Sequence, residues 1–137
     1  MCSSDLTFTY FQGEATEEKT DYSQTYKGIG ATEAVRSTTI NYYKNELGVV
    51  IRALTASPDD AQTRTEQYKG GAAGSDVIAS TMKKQTFTYF QGEATEEKTD
   101  YSQTYKGLGA TEAVRSTTIN YYKNELGVVI RDRKSVV

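Results

Sequence analysis

The feature that most constrains this chain is an internal repeat. Residues Thr7 to Arg52 and Thr86 to Arg131 carry the same sequence at a constant offset of 79, with Ile29 replaced by Leu108 as the one difference in 46 aligned positions. Whatever local structure the first copy prefers, the second prefers too. Solenoid repeats commonly run roughly 20–50 residues, so this longer period is read as a small domain. Each unit is therefore expected to fold as a bead on a string. The near-identity has two explanations, duplication within a modular protein or a chimera made during cloning or assembly, and the sequence favours the first.

The first unit spans 7–69, a Gly-rich joint and lead-in that occurs once spans 70–85, and the second unit, which is truncated, spans 86–131. Outside them stand Met1–Leu6 (MCSSDL) and Asp132–Val137 (DRKSVV). Both strings resemble translated ends of short-read sequencing adapters, and each begins where the repeat identity stops. The resemblance implies that residues 1–6 and 132–137 are not natural, and such scars belong outside fold reasoning. It also implies that Cys2, the single cysteine, carries no biological meaning.

Between those ends there is no cysteine, histidine or tryptophan. An imidazole base, a thiolate nucleophile and a zinc–thiolate site are thereby excluded from the repeat. The whole chain has a net charge of −2, without the basic excess of a nucleic-acid footprint. No apolar run approaches the ~18 residues of a membrane span. Mean hydropathy is −0.63, so the core must be thin. Tyrosine is the unusual residue: all 11 lie within the repeat region. Its ring adds buried area while its hydroxyl remains at a wet edge.

Periodicity gives a coarse fold. Thr7–Phe11 and Tyr22–Lys27 alternate with β-branched and aromatic residues, which predicts a hairpin across a polar acidic loop. Residues 31–47 are ambiguous. A helix would align Ala31, Ala34, Val35, Thr38 and Tyr42 and stop at Leu47-Gly48, whereas Ser37–Tyr43 (STTINYY) is rich in strand formers. The helix is preferred, followed by a buried strand Val49–Ile51. Ser57-Pro58-Asp59-Asp60 has the makings of a helix N-terminus, predicting a helix from Pro58 to about Tyr68. A short helix over Ser75–Lys84 is also expected. The fold class expected is α+β, two near-identical small units of β-β-α-β(-α) with short antiparallel hairpins; the alternative is mainly a β meander plus one helix.

The candidate chemistries are weak. Glu14, Glu17, Glu18 and Asp21 are oxygen ligands of the sort hard cations prefer, but they lack a recognisable loop spacing, and a solvated acidic loop is the expectation. Gly28-Ile29-Gly30 offers backbone amides to a phosphate without the third glycine or the lysine of the familiar motifs. It is read as a turn. The candidate binding surface is aromatic: Tyr10, Tyr22 and Tyr26, with their counterparts Tyr89, Tyr101 and Tyr105. Such rings stack on sugars or bases, yet on alternating strand positions they more often build a sheet. No catalytic, metal or cofactor site is expected. The function expected is a non-enzymatic structural or binding module of a tandem-repeat protein, with protein or carbohydrate as candidate partners and nucleic acid disfavoured. The alternative is a small single-unit partner-binding protein starting near Met82.

Overall fold

Alternation, rather than a helical stripe, governs the described chain. The computed structural model describes residues 6–27, 34–78, 82–94, 96–106, 113–123 and 125–131. Of the strings 1–6 and 132–137 all but Leu6 lie outside them, as do the expected Gly28–Gly30 turn and residues 31–33 of the expected helix. The first unit supplies strands β1 (Leu6–Gln12), β2 (Lys19–Lys27), β3 (Ala34–Lys44), β4 (Val50–Arg52) and β5 (Ala61–Lys69). The second supplies β6 (Lys83–Gln91), β7 (Lys98–Lys106), β8 (Ala113–Ile119), β9 (Tyr121–Lys123) and β10 (Val129–Arg131). Among the described residues the one helical segment is a 3-10 turn at Ala53–Thr55.

The strands form an antiparallel meander in the order β1-β2-β3-β5-β6-β7-β8, with β4 alongside the end of β3 and β9–β10 as a separate pair. The sheet is continuous through the unit boundary, because β5 pairs with β3 on one side and with β6 of the second copy on the other. The repeat in sequence is a repeat in register. Tyr10 faces Tyr22 and Tyr89 faces Tyr101, and a bulge follows each pair at the same place. The turn after β1 needs a glycine: Gly13 has φ +119°, and a Cβ there would sit 2.9 Å from the Glu17 carbonyl oxygen.

The α+β expectation is overturned: the fold is antiparallel β, nearer the meander alternative. Three segments account for the difference. In 34–44 the β-branched and aromatic run Ser37–Tyr43 pairs on both edges, with β2 and β5, and satisfies its backbone there. These residues also lose side-chain freedom in a helix. Leu47-Gly48 does not stop a helix but turns a hairpin, in which the Asn45 carboxamide oxygen accepts from the amides of Leu47 and Val49 and Gly48 adopts φ +79°. The strand after this turn is peripheral, with Val49 and Val50 exposed.

Ser57–Asp60 closes a tight turn, Asp60 N–H donating to the Ser57 carbonyl at 3.0 Å while the Asp60 carboxylate accepts from Ser57 N–H at 2.8 Å. Serine, proline and aspartate suit such a turn as well as a helix start. The adjoining segment, AQTRTEQYK, has no apolar helical stripe and enters the sheet as β5. In the third segment Ser75–Ile78 is irregular and Lys83–Lys84 is already strand; 79–81 are outside the described residues.

Two dissimilar faces result. One carries the core: Tyr22, Ile40, Tyr68 and Phe87, flanked by Tyr10, Tyr42, Tyr89 and Tyr105, with Ile78 and Met82 packed on top. The other carries hydroxyls and amides. Its central row runs Thr9, Ser23, Thr39, Gln67, Thr86, Thr104 and Ser116 across seven strands. One apolar and one polar face is the usual pattern of an antiparallel sheet.

Burying tyrosine has a pH consequence. Burial, with the negative charges of Glu97 and Asp21, pushes the Tyr43 hydroxyl from its ordinary 10.0 up to about 12. Burial likewise raises Tyr22, Tyr42, Tyr68 and Tyr89, and Tyr68 is held neutral further by donating to Glu66 at 2.7 Å. A raised folded-state pKa means the unfolded chain loses its proton first. Stability is therefore fully present below pH 10 and falls as the pH climbs from 10 toward 12. In an alkaline titration the buried tyrosines are expected to ionise together with unfolding. Smooth ionisation of all tyrosines without loss of the circular dichroism signal would refute this.

Candidate functional site

The core face of the first unit is crossed by a strap. The connection from β5 to β6, described at residues 70–78 and 82, does not loop outward but folds back over β3 and β2. Glycine permits the approach. Gly71 has φ +133° and lies directly against the Thr38 hydroxyl, so a Cβ there would collide with it. Gly74 has φ +73°.

Gln24 holds the strap from below. It is fully buried on β2, and every polar group of its carboxamide is used. Its Nε2 donates to the carbonyls of Ala72 (2.9 Å) and Ser75 (3.0 Å) and lies 3.2 Å from the Thr38 hydroxyl. Its Oε1 accepts from Gly74 N–H at 2.8 Å and from the Tyr26 hydroxyl at 3.1 Å. Around it, Tyr22 Oη donates to the Gly74 carbonyl at 3.0 Å and Thr38 Oγ1 to the Gly70 carbonyl at 2.8 Å. The Gly70–Ser75 part of the strap is made of small residues with little apolar surface, so its backbone must be satisfied by side chains beneath it. At its far end Arg52 bridges the strap to the sheet, with Nη2 at 2.7 Å from Asp21 and 2.8 Å from Asp76.

All six predicted aromatic residues lie on this face. Tyr10 and Tyr22 stack at 4.4 Å with an interplanar angle of 12°, and Tyr89 and Tyr101 repeat the pair at 4.4 Å and 15°. Tyr26 meets Phe8 edge-on, and Tyr105 meets Phe87. In the first unit Tyr22 and Tyr26 are buried and their hydroxyls are bonded within the strap network. In the second unit Tyr101 and Tyr105 are half-buried. Gln24, Gly71 and Arg52 escaped the sequence reading. Nothing local distinguishes a glutamine that organises a strap from one at a sheet surface.

The seam between units has its own polar elements. Arg64 lies 4.5 Å over the Tyr42 ring, and its Nε is 2.6 Å from Glu66 Oε2, a charge contact too oblique for a hydrogen bond. Glu97 of the second copy accepts from the Gln62 backbone at 2.9 Å. In the acidic loop Glu14, Glu17 and Glu18 are exposed and Asp21 is paired with Arg52, and among the described residues no three carboxylates are gathered at one point. Among the described residues no helix is long and apolar enough to cross a membrane. No protein-family model matches the chain, and no curated protein or solved structure matches it either.

Proposed function

We propose that this chain is a non-enzymatic structural module of a tandem-repeat protein, in which each unit adds four main strands to a growing sheet. The observation that carries this reading is the role of β5, which closes one unit and receives the first strand of the next. The row Tyr10–Tyr22–Ile40–Glu66 continues as Phe87–Gln103–Thr117, and Phe87 is the counterpart of Phe8 rather than of Tyr10. Successive units thus step by two residues, roughly 7 Å along the strand. An even step keeps the aromatic face on one side, whereas an odd one would turn it to solvent. The aromatic rows support the sheet in this reading, each stacked pair contributing about 0.5–1.5 kcal/mol beyond its buried area.

Chains of one, two and three complete units test the proposal. The denaturant m-value and the thermal midpoint are expected to rise with unit number, as in arrays coupled through their neighbours. The maximum dimension in small-angle scattering should lengthen by a constant increment. If every chain melts at the same temperature, the units are independent and the module reading fails. The same series addresses the single-unit alternative, for which a unit beginning at Met82 should be as stable as the longer chains.

A further inference from the structure

The two copies offer identical residues in two different states. Ile40 is 0% exposed and its counterpart Ile119 is 41% exposed. Thr38 is fully buried, whereas Thr117 is exposed; Gln24 is fully buried, whereas Gln103 is only half-buried. In the first copy β3 is flanked by β5 and covered by the strap. In the second, β8 is the edge of the sheet and all its residues are exposed. The side chains of the second copy are nonetheless set in the same arrangement. Gln103 Oε1 accepts from the Tyr105 hydroxyl at 3.2 Å, as Gln24 does from Tyr26, and its Nε2 lies 3.4 Å from Thr117 Oγ1, as that of Gln24 does from Thr38.

We infer that the β8 edge and the Gln103 face together form an acceptor site for a second segment with the sequence of residues 61–78. This deepens the modular reading and rests on it. The occupant is specified by what sits on the same residues in the first copy. A strand alternating as Arg64, Glu66 and Tyr68 pairs with the edge, placing its glutamate opposite Ile119 and its tyrosine opposite Thr117, as Glu66 lies opposite Ile40 and Tyr68 opposite Thr38. A Gly-Ala strap then crosses the face, with Gln103 Nε2 donating to two of its carbonyls and Gln103 Oε1 accepting from one of its amides, as for Gln24. Glycine is required where the strap passes over the threonine, which rejects bulkier segments. An edge strand with free backbone groups beside a pre-set side-chain site is the geometry of strand addition.

The test uses the 137-residue chain and a labelled synthetic peptide, AQTRTEQYKGGAAGSDVI, copied from residues 61–78. Saturable binding is expected in fluorescence anisotropy, together with slowed hydrogen exchange of the β8 amides. Gln103→Ala should weaken binding roughly tenfold or more, the equivalent of about 1.4 kcal/mol. A peptide carrying valine in place of the Gly71 glycine should bind no better than a scrambled one. Gln103 sits on an open face, so its alanine variant retains the fold, and an unchanged melting profile verifies this. The inference is overturned if millimolar peptide fails to bind, if Gln103→Ala has no effect, or if protection falls on β1 alone. It is also overturned if the chain self-associates through β8 and peptide does not compete. An absence of binding beside a positive unit-number series would refute the acceptor and leave the module reading standing.

Discussion

Ile40→Ala is expected to destabilise the chain by about 2–5 kcal/mol, while Ile119→Ala costs less than about 1 kcal/mol. The two positions share the same sequence neighbours, so the comparison removes local propensity from the question. Ile40 is fully buried among Tyr22, Tyr68 and Phe87, with Ile78 and Met82 of the strap packed against that cluster. Truncating it loses the transfer energy of the removed atoms and leaves a cavity that a close-packed interior cannot collapse. Ile119 is 41% exposed, and truncating it leaves a surface notch that water fills. Small domains hold only about 5–15 kcal/mol in total, so the first variant should shift the urea midpoint markedly and the second barely. Equal shifts would show that the strapped unit is not where the core lies.

Gln24→Ala should destabilise by roughly 3 kcal/mol, since stranding buried donors and acceptors costs about 1–3 kcal/mol each and the strap relaxes to rehydrate some of them. The deletion removes a partner from the Gly74 amide, from the Ala72 and Ser75 carbonyls, and from the Tyr26 hydroxyl. Gln24→Glu should fare no better. A carboxylate still accepts from Gly74 and Tyr26, but it cannot donate, and it faces two carbonyl oxygens with a negative charge. Gln103→Ala, by contrast, should leave the melting profile unchanged. The strap is the reporter: exchange of the Gly74 amide and proteolytic nicking at Ala72–Gly74 should accelerate in the Gln24 variants. If the strap stays protected, Ile78 and Met82 hold it through apolar packing and the carboxamide is secondary.

The β1–β2 hairpin was legible because Thr7–Phe11 and Tyr22–Lys27 alternate without ambiguity, and the observed register pairs them. The tyrosines were legible as a set, since an even spacing, four residues between Tyr22 and Tyr26, places them on one face of a strand. What they do there was not. Tyr22 and Tyr26 are part of the buried network under the strap, and a ring that packs looks the same in sequence as one that binds. The expected helices failed for related reasons. Ser57-Pro58-Asp59-Asp60 satisfies the rules of a helix start and of a tight turn alike, and the residues after it decide between them. Ser37–Tyr43 reads as strand only once β2 and β5 are available on either side.

The sequence by itself determined the repeat, its period, the lack of histidine and cysteine between residues 7 and 131, and the alternation that builds the β1–β2 hairpin and its copy β6–β7. Tertiary structure alone decided the continuous sheet, the path of the strap and the burial of the core. Ile40 and Ile119 show why. Their local sequences are the same, yet one is sealed and the other open. Burial depends on what lies above a residue, and the strap residues packed against the Ile40 cluster, Ile78 and Met82, come from much further along the chain.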